Sequence, residues 1–180
     1  MLTTGTDSGT AFTGTDKSDI FNADVGLILN TALGKMVETD TMQTTDVIVG
    51  GAGVDTLNYK TAGAVKLGSI SGVEVMNASS LTGLTLDTST ITDLTNLNIT
   101  KAEGAIVATA AATTDVAVAI SENGTGSVLA NTVSGGKNVT VNATKMGTAA
   151  GAGDTITVGT GLIAPTGDVV VNQTGAAYDD

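Results

Sequence analysis

The chain has 180 residues, which suits one domain or one segment of a longer protein, and its acidic residues outnumber its basic ones by 18 to 7. The net charge of −11 argues against binding to nucleic acid or to anionic membrane surfaces. Cys and His are both absent, so zinc and other metals that prefer nitrogen or sulfur lose their usual ligands. Hard cations that bind oxygen remain, Ca²⁺ first among them. No apolar run is long enough to span a bilayer, so membrane insertion is not expected.

Four nine-residue segments organise the first third of the chain. The most regular is Gly50-Gly51-Ala52-Gly53-Val54-Asp55-Thr56-Leu57-Asn58, which fits the pattern G-G-x-G-x-D-x-U-x, where U is a bulky apolar residue. The glycines allow a tight turn, and the apolar residue begins a short strand that faces a core. Stacked turns of this kind bind Ca²⁺ in parallel β-rolls. Three degenerate copies stand in register with it, at 5–13, 14–22 and 41–49.

The register of these copies predicts a Ca²⁺ site. Successive turns of a β-roll alternate between its two sides, so the loop at 14–19 is expected beside the loop at 50–55. The loops at 5–10 and 41–46 are then expected on the other side. We predict a Ca²⁺ ion between the first two loops, bound by oxygen atoms. The candidate metal-binding residues are Gly14, Asp16, Asp19, Asp46, Gly51, Gly53 and Asp55.

The segment 23–40 separates the two pairs of nonapeptides and equals two repeat lengths. It contains several large apolar residues, with Gly26 and Gly34 between them. We interpret it as an excursion from the roll and expect a short helix around Val25–Met36, which could cover the open end of a hydrophobic core.

From about residue 65, short β-branched runs recur roughly every 11 residues, with Gly, Asn, Asp and Ser between them. A period of this kind indicates a solenoid, with strands placed alternately on two facing sheets and coils of about 22 residues. A β-sandwich of nine strands is the competing interpretation. We therefore predict an all-β chain, with a Ca²⁺-binding β-roll at 1–60 and a parallel β-solenoid at 61–180.

Six Asn residues in N-x-S/T triplets are expected to form asparagine ladders in the solenoid turns: Asn77, Asn98, Asn123, Asn138, Asn142 and Asn172.

The sequence resembles the secreted surface-layer and repeats-in-toxin-like (RTX-like) proteins of Gram-negative bacteria. The resemblance is carried by Phe12–Ala23 and by Thr45–Asn58, which holds the specific nonapeptide, and it extends to Ile70–Asn77, Leu94–Thr100 and Gly135–Val141. It implies an extracellular or cell-surface location and type I secretion through a C-terminal signal. It also implies Ca²⁺-dependent folding and self-assembly into a lattice. The chain departs from the family in having one full nonapeptide, which suggests one to a few ions.

The expected function is structural, as a component of a bacterial surface layer. Without His, Cys or Arg the chain lacks the residues of common catalytic sites, so we do not expect an enzyme. The main alternative is a secreted adhesin or passenger module that binds a surface glycan or protein, and a cell-surface polysaccharide is a further candidate partner. An accessory domain of a larger enzyme is a third alternative.

Overall fold

The computed structural model describes residues 1–121, 129–144, 154–160 and 163–174. The described residues form strands, apart from loops, turns and a single turn of 3-10 helix at Thr10–Phe12. The strands are β1 (Ile20–Ala23), β2 (Val25–Asn30), β3 (Lys35–Asp40), β4 (Val47–Val49), β5 (Thr56–Thr61), β6 (Ser69–Ser71), β7 (Val75–Ser80), β8 (Leu84–Asp87), β9 (Asn96–Ala102), β10 (Ile106–Ala110), β11 (Asp115–Ser121), β12 (Ala130–Gly135), β13 (Val139–Thr144), β14 (Thr155–Val158) and β15 (Val169–Thr174).

The protein is an all-β parallel solenoid. Its longest wall is a seven-stranded sheet in the order β1-β5-β7-β9-β11-β13-β15, and every pairing in it is parallel. A four-stranded parallel sheet, β14-β12-β10-β8, forms part of the return path, and β4 pairs with β6 before it. From β7 onward, odd strands lie in the first sheet and even strands in the second. The predicted alternation is therefore confirmed, and the β-sandwich interpretation is wrong because that fold would need antiparallel neighbours.

Period-two side-chain alternation explains the core. In β5 the residues alternate between partly exposed and buried, so that Leu57 and Tyr59 face inward while Asn58 faces outward. Parallel register then stacks like positions above one another in columns. One buried column runs through Phe21, Leu57, Met76, Leu97, Val116 and Val139.

The excursion at 23–40 is a β-hairpin, so the expected helix around Val25–Met36 is wrong. Strands β2 and β3 pair antiparallel from Val25↔Asp40 to Asn30↔Lys35. Turn chemistry explains the difference, because the Asn30 side chain accepts the Leu33 N–H at 3.0 Å and Gly34 adopts φ 61. The hairpin leaves most of its large apolar side chains exposed, so they do not cover the core as expected.

Asparagine side chains form a ladder, but on the strands instead of the turns. Asn58, Asn77 and Asn98 each donate from Nδ2 to the Oδ1 of the asparagine in the preceding coil, at 2.9 Å, and the ladder begins at Asn22. A separate pair joins the Asn172 Nδ2 to the Asn142 Oδ1 at 2.9 Å. The predicted Asn123 lies outside the described residues. The period-two alternation places these amides on the outer face of the long sheet.

Candidate metal centre

The loop at 14–19 lies directly against the loop at 50–55, as the nonapeptide register predicted. The Gly14 N–H donates to the Val49 carbonyl at 2.7 Å, and the Ala52 N–H donates to the Thr15 carbonyl at 3.2 Å. Strands β1 and β5 then leave the two loops in register, with Ile20 beside Thr56. We call this pair of loops, 14–19 and 50–55, the loop stack.

Glycine is required where the two loops touch. Gly53 has φ 119, a left-handed conformation that side chains disfavour, and a Cβ there would lie 2.7 Å from the carbonyl carbon of Lys17. A Cβ on Gly14 would overlap the Gly50 carbonyl. The glycines that the sequence singled out therefore set the close spacing of the loops.

Asp19 closes its own loop. Its Oδ2 accepts the Thr15 N–H at 2.6 Å and the Thr15 hydroxyl at 2.9 Å. The backbone N–H of Thr15, followed by its hydroxyl, holds the pKa of the Asp19 carboxyl below its usual range. The backbone N–H of Asp19 in turn donates to Oδ1 of Asp55 at 2.6 Å, which joins the two loops.

Asp55 is fully buried at the centre of the loop stack. Its Oδ1 accepts the Asp19 N–H, and its own N–H donates to Oε2 of Glu74 at 2.8 Å. Its Oδ2 is the one buried side-chain oxygen or nitrogen, among the residues that the structure describes, without a hydrogen-bond partner. Burying a carboxylate oxygen unpaired is costly, so this atom marks the position where a further positive partner would be most stabilising.

Asp46 occupies the equivalent motif position on the other side of the coil. It is buried, and its Oδ1 accepts the Asp7 N–H at 2.8 Å while its Oδ2 accepts the Gln43 N–H at 2.7 Å. Strand β4 separates it from Gly50. The structure thus does not bring Asp46 into the loop stack, and both of its oxygens are already bonded to backbone.

Five of the seven predicted metal-binding residues meet in the loop stack: Gly14, Asp19, Gly51, Gly53 and Asp55. Asp16 lies in the same loop, but its side chain is exposed to solvent. No group of three or more acidic side chains that could hold a metal occurs within the described ranges. Any ion in the loop stack would therefore depend on backbone carbonyls as well as on carboxylates, a mixture that Ca²⁺ accepts.

Sequence reasoning missed two residues of this site. Glu74 continues the column of acids into the next coil, where its carboxylate accepts the Asp55 N–H. The signal was present, since Gly72-Val73-Glu74 repeats the Gly53-Val54-Asp55 order with a longer acid. Thr15, the residue that fixes the Asp19 carboxylate, was the second.

The chemistry of the loop stack suits a hard cation. All available ligands are oxygens, and one carboxylate oxygen is buried without a partner. Apart from that atom, the aspartates act as acceptors that satisfy turn N–H groups, which is the ordinary role of Asp in tight turns.

Comparison with known proteins adds no assignment. A scan against models of protein families and a search of curated proteins both return no match for this chain. Within the described residues, no helix has the length and apolar character needed to cross a membrane.

Proposed function

We propose that this chain is a structural module of a secreted bacterial surface layer, and that Ca²⁺ in the loop stack stabilises its fold. The observation that supports the proposal best is the unpartnered Oδ2 of the fully buried Asp55. It lies in a glycine-rich turn of the kind that binds Ca²⁺ in RTX-like rolls.

The residues that would hold the ion belong to the two loops. Asp55 would contribute Oδ2, Asp19 would contribute the second carboxylate, and backbone carbonyls of the glycine turns would complete the set. Bound Ca²⁺ supplies positive charge that offsets the clustered carboxylates. Because Asp19 and Asp55 belong to successive coils, an ion bound to both would tie those coils together.

The whole-chain charge is consistent with such a role. A net charge of −11 opposes both compaction and association of copies, and a divalent cation reduces both penalties. The low-salt folded state should therefore be the one most sensitive to Ca²⁺ removal.

Chelation of Ca²⁺ tests the proposal. At a free Ca²⁺ concentration of about 100 times the dissociation constant, binding stabilises the fold by about 2.7 kcal/mol. For a chain of this size that corresponds to a melting-temperature increase on the order of 5–10 °C over the protein in EGTA. Circular dichroism at low ionic strength would measure it, with Mg²⁺ as the control cation. Identical melting curves in Ca²⁺ and in EGTA would refute the metal proposal.

Binding of a cell-surface polysaccharide is a second candidate function, favoured by a groove on the outer face of the long sheet. The groove has a volume of about 270 Å³ and is lined by ladder amides and by the Lys60–Asp24 ion pair. Each ladder Nδ2 uses one hydrogen within the ladder and keeps a second for a ligand. Nuclear magnetic resonance titration with neutral hexoses should shift the side-chain amide signals of Asn58 and Asn77. Unchanged signals at millimolar hexose would exclude this candidate.

A further inference from the structure

The hairpin formed by β2 and β3, here called the arm (Val25–Asp40), exposes large apolar side chains. Leu27, Leu29 and Met36 are 64 %, 60 % and 53 % exposed. Cross-strand register places these three on one face of the arm, because Leu29 lies opposite Met36 and residues two apart share a face. A two-stranded ribbon is marginally stable in water, and this face exposes Leu27 and Leu29 of β2 beside Met36 of β3, with Glu38 opposite Leu27. An exposed apolar cluster of this kind is suited to contact with another molecule.

The base of the arm is firmly held. Thr41 donates its N–H to the Asp24 carbonyl at 2.9 Å, which closes the two ends of the ribbon. Buried Asp40 accepts the hydroxyl of Thr61, the last residue of β5, at 2.9 Å and the N–H of the following Ala62 at 2.6 Å. The arm therefore begins from a fixed point on the solenoid, and its leucine face is exposed.

The opposite end of the long sheet carries a matching surface. Strand β15 is the last strand of the sheet and pairs within the described residues with β13 alone. Val169 and Val171 continue the inward columns of Val139 and Val141, which are fully buried, yet both are 47 % exposed. Among the described strands none pairs with the outer edge of β15, so the backbone N–H and C=O groups of that edge can pair with a further strand.

We propose that the arm of one copy of this chain adds as a strand to the β15 edge of a second copy. Leu27 and Leu29 are spaced two residues apart, as are Val169 and Val171, so a strand pairing places both leucines over the two open columns. Strand β2 has a free edge for this pairing, since among the described strands it pairs with β3 only.

Charge favours the antiparallel alignment. When Leu29 lies beside Val169 and Leu27 beside Val171, Asn30 falls beside Asp168, which immediately precedes β15. Asn30 is the cross-strand partner of Lys35, the one cation of the arm. Lys35 of the arm then lies on the same face of the joined sheet as Asp168, which precedes the β15 edge.

The distance between the arm and the β15 edge of the same chain requires that the contact be between two copies. Six strand spacings of about 4.8 Å separate β1 from β15, or roughly 29 Å, whereas a six-residue hairpin extends about 20 Å. The arm therefore cannot reach the edge of its own chain. Because arm and edge are different surfaces at opposite ends, the contact is heterologous and propagates from copy to copy. The inference rests on the proposed role in a surface layer and names the surfaces through which copies of the chain associate.

Sedimentation of the full chain in Ca²⁺ tests the contact. Wild-type protein should associate with rising concentration into species larger than a dimer. The arm variant Leu27→Thr/Leu29→Thr and the edge variant Val169→Thr/Val171→Thr should each lower association by at least tenfold. Val170→Thr is the matched control, because Val170 is 45 % exposed but faces away from the columns, and it should associate as wild type does. Equal loss in the control, or a wild type that stays monomeric at several hundred micromolar, would overturn the proposal.

Mixing the two variants is the decisive experiment. The arm variant keeps an intact edge and the edge variant keeps an intact arm, so an equal mixture should form a one-to-one complex and nothing larger. Absence of this complex would overturn the proposal. If the double arm variant does not fold, Leu29→Lys at the same exposed site replaces it. Melting curves of each variant in Ca²⁺ and EGTA separate the two proposals. If the variants keep the Ca²⁺-dependent rise in melting temperature and associate as wild type does, the arm contact alone is refuted. If wild type shows neither this rise nor association, the proposed function is refuted.

Discussion

Asp46 and Asp55 occupy the same position of successive nonapeptides, nine residues apart, and differ in what their carboxylates bind. Both are buried. Both oxygens of Asp46 accept backbone N–H groups, from Asp7 and Gln43, whereas Asp55 accepts one from Asp19 and leaves Oδ2 unpaired. The same motif position therefore occurs in two states, one with both carboxylate oxygens bonded to backbone N–H groups and one with a single oxygen bonded.

The difference follows from the residues that precede each acid. Gln43, three residues before Asp46, donates its N–H to that carboxylate, whereas Thr15, four residues before Asp19, donates both its N–H and its hydroxyl. The loop before Asp55 contains Gly51 at φ 111 and Gly53 at φ 119, and no N–H from it reaches Oδ2. The N–H of Ala52, which stands at the motif position of Gln43, donates to the Thr15 carbonyl instead, and Gly51 has no hydroxyl where its counterpart Thr15 has one.

Asp46→Ala should produce the largest loss of stability. It leaves the buried N–H of Asp7 and the N–H of Gln43 without acceptors, at about 1–3 kcal/mol each. The free energy of unfolding should fall by about 2–6 kcal/mol, by the same amount in Ca²⁺ and in EGTA, as measured by urea denaturation. A loss confined to Ca²⁺ would show that Asp46 is itself a ligand.

Gly53→Ala should be the next most damaging change, because it forces apart the two loops of the loop stack. The left-handed φ and the overlap with Lys17 together should cost about 2–4 kcal/mol. Gly63→Ala is the control, since a Cβ there meets no atom within 4 Å and its φ lies outside the left-handed range, so its effect should stay below about 1 kcal/mol. Equal stabilities of the two variants would contradict the stacking described here.

Asp55→Asn should have a small effect in EGTA and a larger one in Ca²⁺. The remaining oxygen can still accept the Asp19 N–H, so no hydrogen bond is lost and the cost without cation should be below about 1 kcal/mol. The Ca²⁺-dependent rise in melting temperature should disappear. Asp87→Asn makes the same change of charge at an exposed site that bonds only to Ser89, and should keep the rise. A full Ca²⁺ shift in Asp55→Asn would contradict the proposed ligand.

The smallest expected effect concerns acid titration of Asp19. Its pKa is lowered in the fold by the Thr15 donors, so its contribution to stability is present above the unfolded pKa of about 3.9. That contribution is lost as the pH falls through the lower folded value. Thr15→Val removes the hydroxyl donor and should shift the Asp19 midpoint upward in a nuclear magnetic resonance titration, while stability at pH 7 changes little. An unmoved midpoint would show that the backbone N–H alone sets it.

The sequence predicted the parts that depend on periodicity. Nine-residue spacing placed Asp19 beside Asp55, and the recurring β-branched runs located the strands from β7 onward, because a buried face requires a fixed side-chain alternation. The arm was mistaken for a helix, since its apolar residues match either period and its turn is decided locally by Asn30 and Gly34. The division at residue 60 stays a prediction, although the long sheet runs through it.

The state of an individual oxygen could not be predicted from the sequence. Asp46 and Asp55 stand in the same motif position, and their difference depends on which N–H groups the folded turns direct inward. Glu74 was missed because its coil repeats only three residues of the nonapeptide.

Calorimetric titration of the Ca²⁺-stripped chain with Ca²⁺ tests the central claim most directly. The wild type and Asp87→Asn should show saturable binding with a stoichiometry of at least one ion per chain. Asp55→Asn should lose the site associated with the loop stack, which lowers the stoichiometry by one. Equal binding by Asp55→Asn and the wild type, or no measurable binding by any of the three, would contradict a cation site at the unpaired oxygen of Asp55.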